Sequence, residues 1–130
     1  MRRTPLSIMT FAILAAAAPA AYGALHFHLV KSVPEKEAML EKAPPEIKLW
    51  FSEEPQEATT SLRLIGPDDE LVELAELAQS EDDAKVFSVR VSGRIPDGVS
   101  KVVWRAMGRD GHVVRGDYTF SVHSMETPGR

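Results

Sequence analysis

Short runs of apolar residues, several of them alternating with polar ones, recur along the chain between proline, glycine and acidic residues. Alternation with a period of two is the pattern of a half-buried β-strand, and the intervening residues are typical of turns. The sequence therefore predicts an all-β fold of about seven short strands, arranged as a two-sheet sandwich or a small Greek-key barrel. The predicted strands cover residues 26–33, 47–52, 60–65, 71–74, 86–91, 101–107 and 118–122.

The segments between these runs contain residues that form turns. Pro44-Pro45 cannot continue a helix or a central strand, and Gly66-Pro67-Asp68-Asp69 and Ile95-Pro96-Asp97-Gly98 both favour tight turns. Only residues 70–84 are ambiguous, because their leucines also fit one face of a helix with glutamates opposite. We interpret this stretch as a short strand followed by a mobile acidic loop.

The N-terminal segment has the features of a secretory signal. Met1-Arg2-Arg3 is followed by an apolar, alanine-rich stretch from Ile8 to Ala18 and by small residues at Ala21-Tyr22-Gly23. This apolar stretch is too short to span a bilayer, which needs about 20 residues. We expect residues 1–23 to be the signal peptide of an exported protein, residues 24–125 to form a single domain, and residues 126–130 to be a flexible tail.

Charge and composition argue against several classes of function. The chain has 15 basic and 19 acidic residues, a net charge of -4, and loss of Arg2 and Arg3 with the signal would make it more acidic. Such a balance argues against a nucleic-acid partner. The chain has no cysteine, which excludes disulfides, thiolate metal ligands and a cysteine nucleophile.

Three of the four histidines lie in two short motifs, His26-Phe27-His28 and Asp110-Gly111-His112. Along a strand, side chains alternate, so His26 and His28 would share one face while Phe27 points to the core. The Asp-Gly pair favours a turn that can aim both flanking side chains at one point. Imidazole nitrogen and carboxylate oxygen suit a borderline divalent transition ion, so the two motifs predict a metal site if the fold joins them.

Four ordered segments carry a family resemblance: HFHLVKSVP at 26–34, LWFSE at 49–53, VWRA at 103–106 and DGHVVRGDYTFSV at 110–122. They look like the successive signatures of the CopC-type periplasmic copper-binding family of copper-resistance proteins, including its shorter YobA-like members. The resemblance implies a cupredoxin-like or immunoglobulin-like Greek-key β-sandwich. It also implies that residues 24–125 form a CopC-like domain that binds Cu(II) in the periplasm.

The same resemblance implies the ligands. His26 would supply an imidazole and, as a terminal residue, its amine, while Asp110 and His112 would supply a carboxylate and a second imidazole. Glu53, in the F-S-E motif, is a candidate outer ligand, and we interpret His28 as exposed beside the site. Cu(II) prefers such tetragonal sets of nitrogen with weaker oxygen contacts.

The signal cleavage site leaves two chelate geometries open. Small residues favour cleavage after Gly23, which would leave Ala24-Leu25-His26 as the new terminus. A histidine in third position can surround Cu(II) with the amine, two backbone amides and the imidazole, without Asp110 or His112. Cleavage after Leu25 would instead make His26 terminal, although leucine is a poor residue at that point.

A coordination shell of nitrogens and a carboxylate leaves little room for an exchangeable position, so binding and transfer are favoured over catalysis. We expect a non-enzymatic monomer that sequesters copper or delivers it, with a CopD-type inner-membrane transporter as the partner that the resemblance suggests. The alternatives are an oxygen-activating copper enzyme with a histidine brace, and a metal-free interaction module.

The methionine content of the chain indicates which oxidation state of copper it binds. Some family members carry a methionine-rich loop for Cu(I), but residues 66–84, the corresponding stretch, contain no methionine. Met39, Met107 and Met125 are scattered along the sequence, and His123 looks incidental. The sequence therefore predicts a Cu(II) site and no separate Cu(I) site.

Overall fold

In the computed structural model, the described residues are 26–125, which form nine β-strands joined by turns and loops. The predicted signal peptide (1–23) and tail (126–130) lie outside them. None of the described residues belongs to a helix that is long and apolar enough to cross a membrane. The strands are β1 (Leu29–Val33), β2 (Met39–Leu40), β3 (Glu46–Phe51), β4 (Ser61–Ile65), β5 (Leu71–Val72), β6 (Ala78–Gln79), β7 (Val86–Arg90), β8 (Gly98–Met107) and β9 (Val113–Val122).

The strands form two sheets that face each other. One sheet has the order β1-β3-β7-β6, and the other has the order β2-β9-β8-β4-β5. All pairings are antiparallel except that of β2 with β9. The longest is the β8–β9 hairpin, which pairs from Gly98 with Val122 to Met107 with Val113. The predicted two-sheet β-sandwich is confirmed.

The core lies between the sheets and contains a cluster of aromatic rings. Phe51 stacks on Phe27 with ring centroids 5.0 Å apart, and it meets Phe87 and Trp104 edge-on at 5.9 and 5.3 Å. All four side chains are buried. Such pairs add about 1 kcal/mol each to the effect of burial, so the cluster fixes this end of the sandwich. The core position predicted for Phe27 is confirmed.

Several strand boundaries differ from the prediction. The last strand begins at Val113 instead of residue 118, because pairing with β8 extends a strand whose Arg115, Gly116 and Asp117 interrupt the apolar pattern. The first strand begins at Leu29, so the histidine motif precedes it instead of belonging to it.

Two short elements were not predicted as such. The two-residue strands β2 and β6 carry too little pattern to be recognised in the sequence. Residues 70–84 contain β5, an isolated bridge between Leu74 and Val91, and β6, so the helical alternative for this stretch is wrong.

Gly116 lies opposite Trp104 in the β8–β9 pairing. A β-carbon placed on Gly116 would lie 2.4 Å from Cζ2 and 2.6 Å from Cε2 of the indole, far inside normal contact. Because Gly116 has no side chain, the buried indole of Trp104 can lie against the backbone of β9.

We expect Gly116→Ala to lower the free energy of unfolding by about 3 kcal/mol, because the added methyl group overpacks against the indole. Chemical denaturation would measure this. In a Trp104→Leu background the same glycine substitution should cost much less, since the indole atoms that it meets are gone. An equal penalty in both backgrounds would show that the indole is not the cause.

Candidate metal centre

The first histidine motif is fastened to the end of β3 through Ser52. The His28 backbone N–H donates to Ser52 Oγ at 3.0 Å, and the Ser52 N–H donates to the His28 carbonyl at 2.9 Å. Ser52 Oγ also donates to the His26 carbonyl at 3.4 Å. Together with Phe27 in the core, these contacts hold the backbone on both sides of the motif while His26 and His28 stay exposed.

The loop after β3 is tied to the end of β8. The Gln56 backbone N–H donates to the Met107 carbonyl at 2.8 Å, and its side-chain amide donates to the Gly108 carbonyl at 3.1 Å. These bonds bring Glu53 beside the β8–β9 turn, where the Arg109 N–H donates to Glu53 Oε1 at 3.4 Å. Nothing in the sequence pattern singled out Gln56 for this positioning role.

The two motifs converge on Gly108. A β-carbon placed there would lie 3.2 Å from Phe27 Cβ, 3.2 Å from Glu53 Oε1 and 3.2 Å from Asp110 Oδ1. Phe27 is the central residue of the first histidine motif, so the start of the folded domain meets the β8–β9 turn at this point. The glycine leaves the space in which these groups approach one another.

The turn from Gly108 to His112 is closed by its own backbone. The Gly111 N–H donates to the Gly108 carbonyl and the Gly108 N–H donates to the His112 carbonyl, both at 3.0 Å. Gly111 has a φ of 85°, in the left-handed region that glycine adopts without a steric penalty. The turn therefore presents Asp110 and His112 side by side at the rim of the sandwich.

Asp110 and His112 form an exposed pair. Asp110 Oδ1 accepts the His112 backbone N–H at 3.0 Å, and Oδ2 lies 2.9 Å from His112 Nδ1. The side-chain hydrogen bond from His112 lowers the pKa of Asp110, and the bond to Asp110 raises the pKa of His112 above 6.5. With Nδ1 engaged as a donor, Nε2 is the ring nitrogen that remains for a ligand.

The local charge at this rim is negative. Arg109 makes a salt bridge of 3.2 Å with Glu54, which offsets one carboxylate. Glu53 and Asp110 remain as carboxylates that face the convergence point, an arrangement that attracts a cation.

The predicted residues share one end of the fold, but they do not form a closed coordination shell. Within residues 26–125, no three His, Asp or Glu side chains lie in an arrangement that could hold a metal ion. His28 Nδ1 lies 2.6 Å from the His26 carbonyl, so the His28 ring turns back to its own segment. Closing a shell around an ion therefore requires the exposed side chains to change rotamers, while the backbone that carries them is already held in place.

The fold and this rim define a small β-sandwich protein that gathers histidine and carboxylate side chains where its first strand begins and its longest hairpin turns. Residues 29–123 match the CopC domain. The chain therefore belongs to the CopC family, as the sequence motifs predicted.

Proteins of similar sequence agree with this family assignment. The chain is 32% identical over 97 residues to protein YobA of Escherichia coli K12, covering 75% of this chain and 78% of that protein. It is 26% identical to the copper transport protein CutJ of Bacillus subtilis, of which the matched region covers only 18%.

Two solved structures share the Greek-key β-sandwich fold. CopC from Methylosinus trichosporium OB3b superimposes with a TM-score of 0.70 at 24% identity and covers 78% of this chain and 98% of that one. PcoC, a methionine-rich copper resistance protein from Escherichia coli, gives a TM-score of 0.64 at 29% identity, with coverage of 75% and 99%.

We expect the pKa of His112 in the metal-free protein to lie above 6.5 and to fall in Asp110→Asn, because the neutral amide stabilises the imidazolium less than a carboxylate does. Titration of the ring protons by NMR would measure both values. Glu54→Gln is a matched control, because it breaks the neighbouring salt bridge and leaves the Asp110–His112 pair intact. An unchanged pKa of His112 in Asp110→Asn would contradict the pairing.

Proposed function

We propose that this protein binds Cu(II) in the periplasm and sequesters it or delivers it, without catalysing a reaction. The observation that supports this proposal most directly is the convergence at Gly108 of the His26-Phe27-His28 segment, Glu53 and the Asp110–His112 turn. Copper is the cargo suggested by the names of relatives, which include a copper transport protein and a copper resistance protein.

The proposed ligands are the imidazoles of His26 and His112 and the carboxylate of Asp110, with Glu53 as an outer carboxylate. Two nitrogen donors and anionic oxygens suit Cu(II), which binds imidazole more tightly than the other divalent first-row ions do. Only side chains need to move, because Phe27 and Ser52 hold the backbone of the His26 segment.

Asp110 can serve two purposes at once, since each of its oxygens has more than one lone pair. Oδ2 pairs with His112 Nδ1, which fixes the orientation of the ring and leaves Nε2 for the ion. Oδ1, on the side of Gly108 and Glu53, is the oxygen that we assign to copper.

The exposure of the site favours transfer of the bound ion to a partner protein. The His112 and Asp110 side chains are 84% and 60% exposed, so an incoming ligand from a partner could reach the ion without opening the core. We propose that the partner is a CopD-type inner-membrane transporter and that residues 1–23 direct export to the periplasm, where the two would meet.

With His26 as the terminal residue, we expect His112→Ala and His26→Ala each to weaken Cu(II) binding by at least about tenfold, and the double variant to abolish the site, because each substitution removes an imidazole donor. Calorimetric titration and electron paramagnetic resonance would measure affinity and ligand field. His28→Ala is the matched control, since it removes a neighbouring imidazole outside the ligand set. Unchanged affinity and spectra in the double variant would contradict the proposed site.

Mass spectrometry of the exported protein should identify the signal cleavage site, and hence the N-terminal groups that are available to bind Cu(II). Cleavage after Leu25 predicts a terminal His26 and a strong dependence of Cu(II) binding on His112. Cleavage after Gly23 predicts a terminal Ala24 and a chelate that His112→Ala weakens little. A mature N-terminus beyond His26 would remove this residue from the site and contradict the ligand set.

A further inference from the structure

We propose that the outer face of the five-stranded sheet, which we call the basic face, docks on an anionic lipid surface. Its four cations are Arg63 on β4, Lys101 and Arg105 on β8, and Arg115 on β9. The biological meaning of this docking rests on the proposed function, because it would place the copper site beside the membrane of the partner transporter. No sequence motif identified the face, since its cations come from three separate strands.

Strand pairing brings these cations onto one face. Arg105 lies opposite Arg115, and Arg63 lies opposite Val103, which stands between Lys101 and Arg105 on β8. Side chains alternate across a sheet, and the neighbours of the cations along each strand pack towards the core. The four cationic side chains therefore point to solvent, where all of them are exposed.

The charges on the basic face are not balanced within the domain. The salt bridges of residues 26–125 lie at the β8–β9 turn and involve none of the four cations. Asp117 is the one acidic residue among the outward-facing positions of the described strands of this sheet. Arg105 directly opposite Arg115 is a like-charge pair, which destabilises a sheet. A layer of anionic groups against the face would offset this repulsion.

Aliphatic side chains lie among the cations. Leu71 is 67%, Val99 is 58% and Val113 is 39% exposed on the same face, where Val103 is half-buried. Single exposed apolar residues are ordinary, but here several share one face with unpaired cations. Binding to a membrane interface increases both with the apolar area that is buried and with attraction to anionic lipids. The basic face offers both contributions.

The chemistry and spacing of the cations favour phosphate headgroups. Three of the four are arginines, whose planar guanidinium group can donate two parallel hydrogen bonds to one phosphate. The cations are spread over three adjacent strands, about 10 Å across, instead of converging on one point. This arrangement fits a surface of many headgroups better than a single bound anion.

The acidity of the whole chain does not prevent such docking. Charges separated by more than about 8 Å are largely screened at physiological salt, so the local charge of the contact face decides the interaction. The acidic loop at residues 81–83 joins β6 to β7 in the other sheet. The molecule would therefore approach an anionic surface with the basic face leading.

The outer face of the other sheet carries cations that already have partners. The ammonium nitrogens of Lys31 and Lys48 lie 4.7 and 5.2 Å from the centroid of the Trp50 ring. Arg90 lies opposite Glu46 in the pairing of β3 with β7. These three cations match the charge of three on the basic face, and they provide a control on the opposite side of the molecule.

Docking on the basic face would lay β8 and β9 along the membrane. Arg105 and Arg115 form the cation pair nearest the β8–β9 turn, so the turn with Asp110 and His112 would lie at the edge of the contact. The exposed copper ligands would then stand beside the headgroups, open to a transporter in the same bilayer.

Cosedimentation of the mature protein with lipid vesicles tests this docking. We expect binding to vesicles of phosphatidylcholine and phosphatidylglycerol in equal parts, weakening as salt is raised, and no binding to phosphatidylcholine alone. Loss of one cation near an anionic surface weakens binding roughly fivefold, so Arg63→Gln/Arg105→Gln/Arg115→Gln should weaken it about a hundredfold. Lys31→Gln/Lys48→Gln/Arg90→Gln is the matched control, because it changes the net charge equally on the opposite face, and it should bind as the wild-type protein does.

The result can be separated from that of the Cu(II) proposal. The basic-face variant should keep wild-type Cu(II) affinity, and His26→Ala/His112→Ala should lose Cu(II) while it still binds the anionic vesicles. Equal weakening in the two triple variants would show an effect of net charge alone and would overturn the docking face. No binding of the wild-type protein to anionic vesicles would overturn the lipid surface as occupant, in favour of an acidic protein, and leave the Cu(II) proposal unaffected.

Discussion

The pairing of β8 with β9 along the full length of both strands is the constraint on which the rest of the structure depends. It fixes the turn that carries Asp110 and His112 at one end of the sandwich and the segment from Val122 to Met125 at the other. It also holds Trp104 against Gly116, which positions the indole in the aromatic cluster under the first histidine motif. A single hairpin therefore positions the proposed copper site.

The rim at Gly108 shows how distant parts of a chain can be joined without a dedicated cavity. The core anchors one segment through Phe27, the Ser52 hydrogen bonds align it with β3, and Gln56 ties the following loop to the end of β8. Each contact is an ordinary one, worth about 1 kcal/mol. Their combination brings Glu53 and Asp110 to one place while their oxygens remain available to solvent and to an ion.

The sequence predicted those features that follow from local pattern. Alternation indicated the β-sandwich, and the position of Phe27 between two polar histidines indicated its burial. The same reasoning failed at β9, since Arg115, Gly116 and Asp117 look like a break until β8 is there to pair with them. The approach of Glu53 to Asp110 depends on contacts between distant segments, which a single sequence does not encode in any readable pattern.

The burial of Phe27 between two solvent-facing neighbours has a consequence for how such proteins diversify. The apolar ring anchors the segment whatever the flanking residues are, so the positions on either side can be exchanged at little expense to folding. Ion preference could therefore drift in evolution, or be redesigned, by substitutions at the rim alone. The β-sandwich is thus a rigid scaffold, and the ligand side chains at its rim can be replaced without changing the fold.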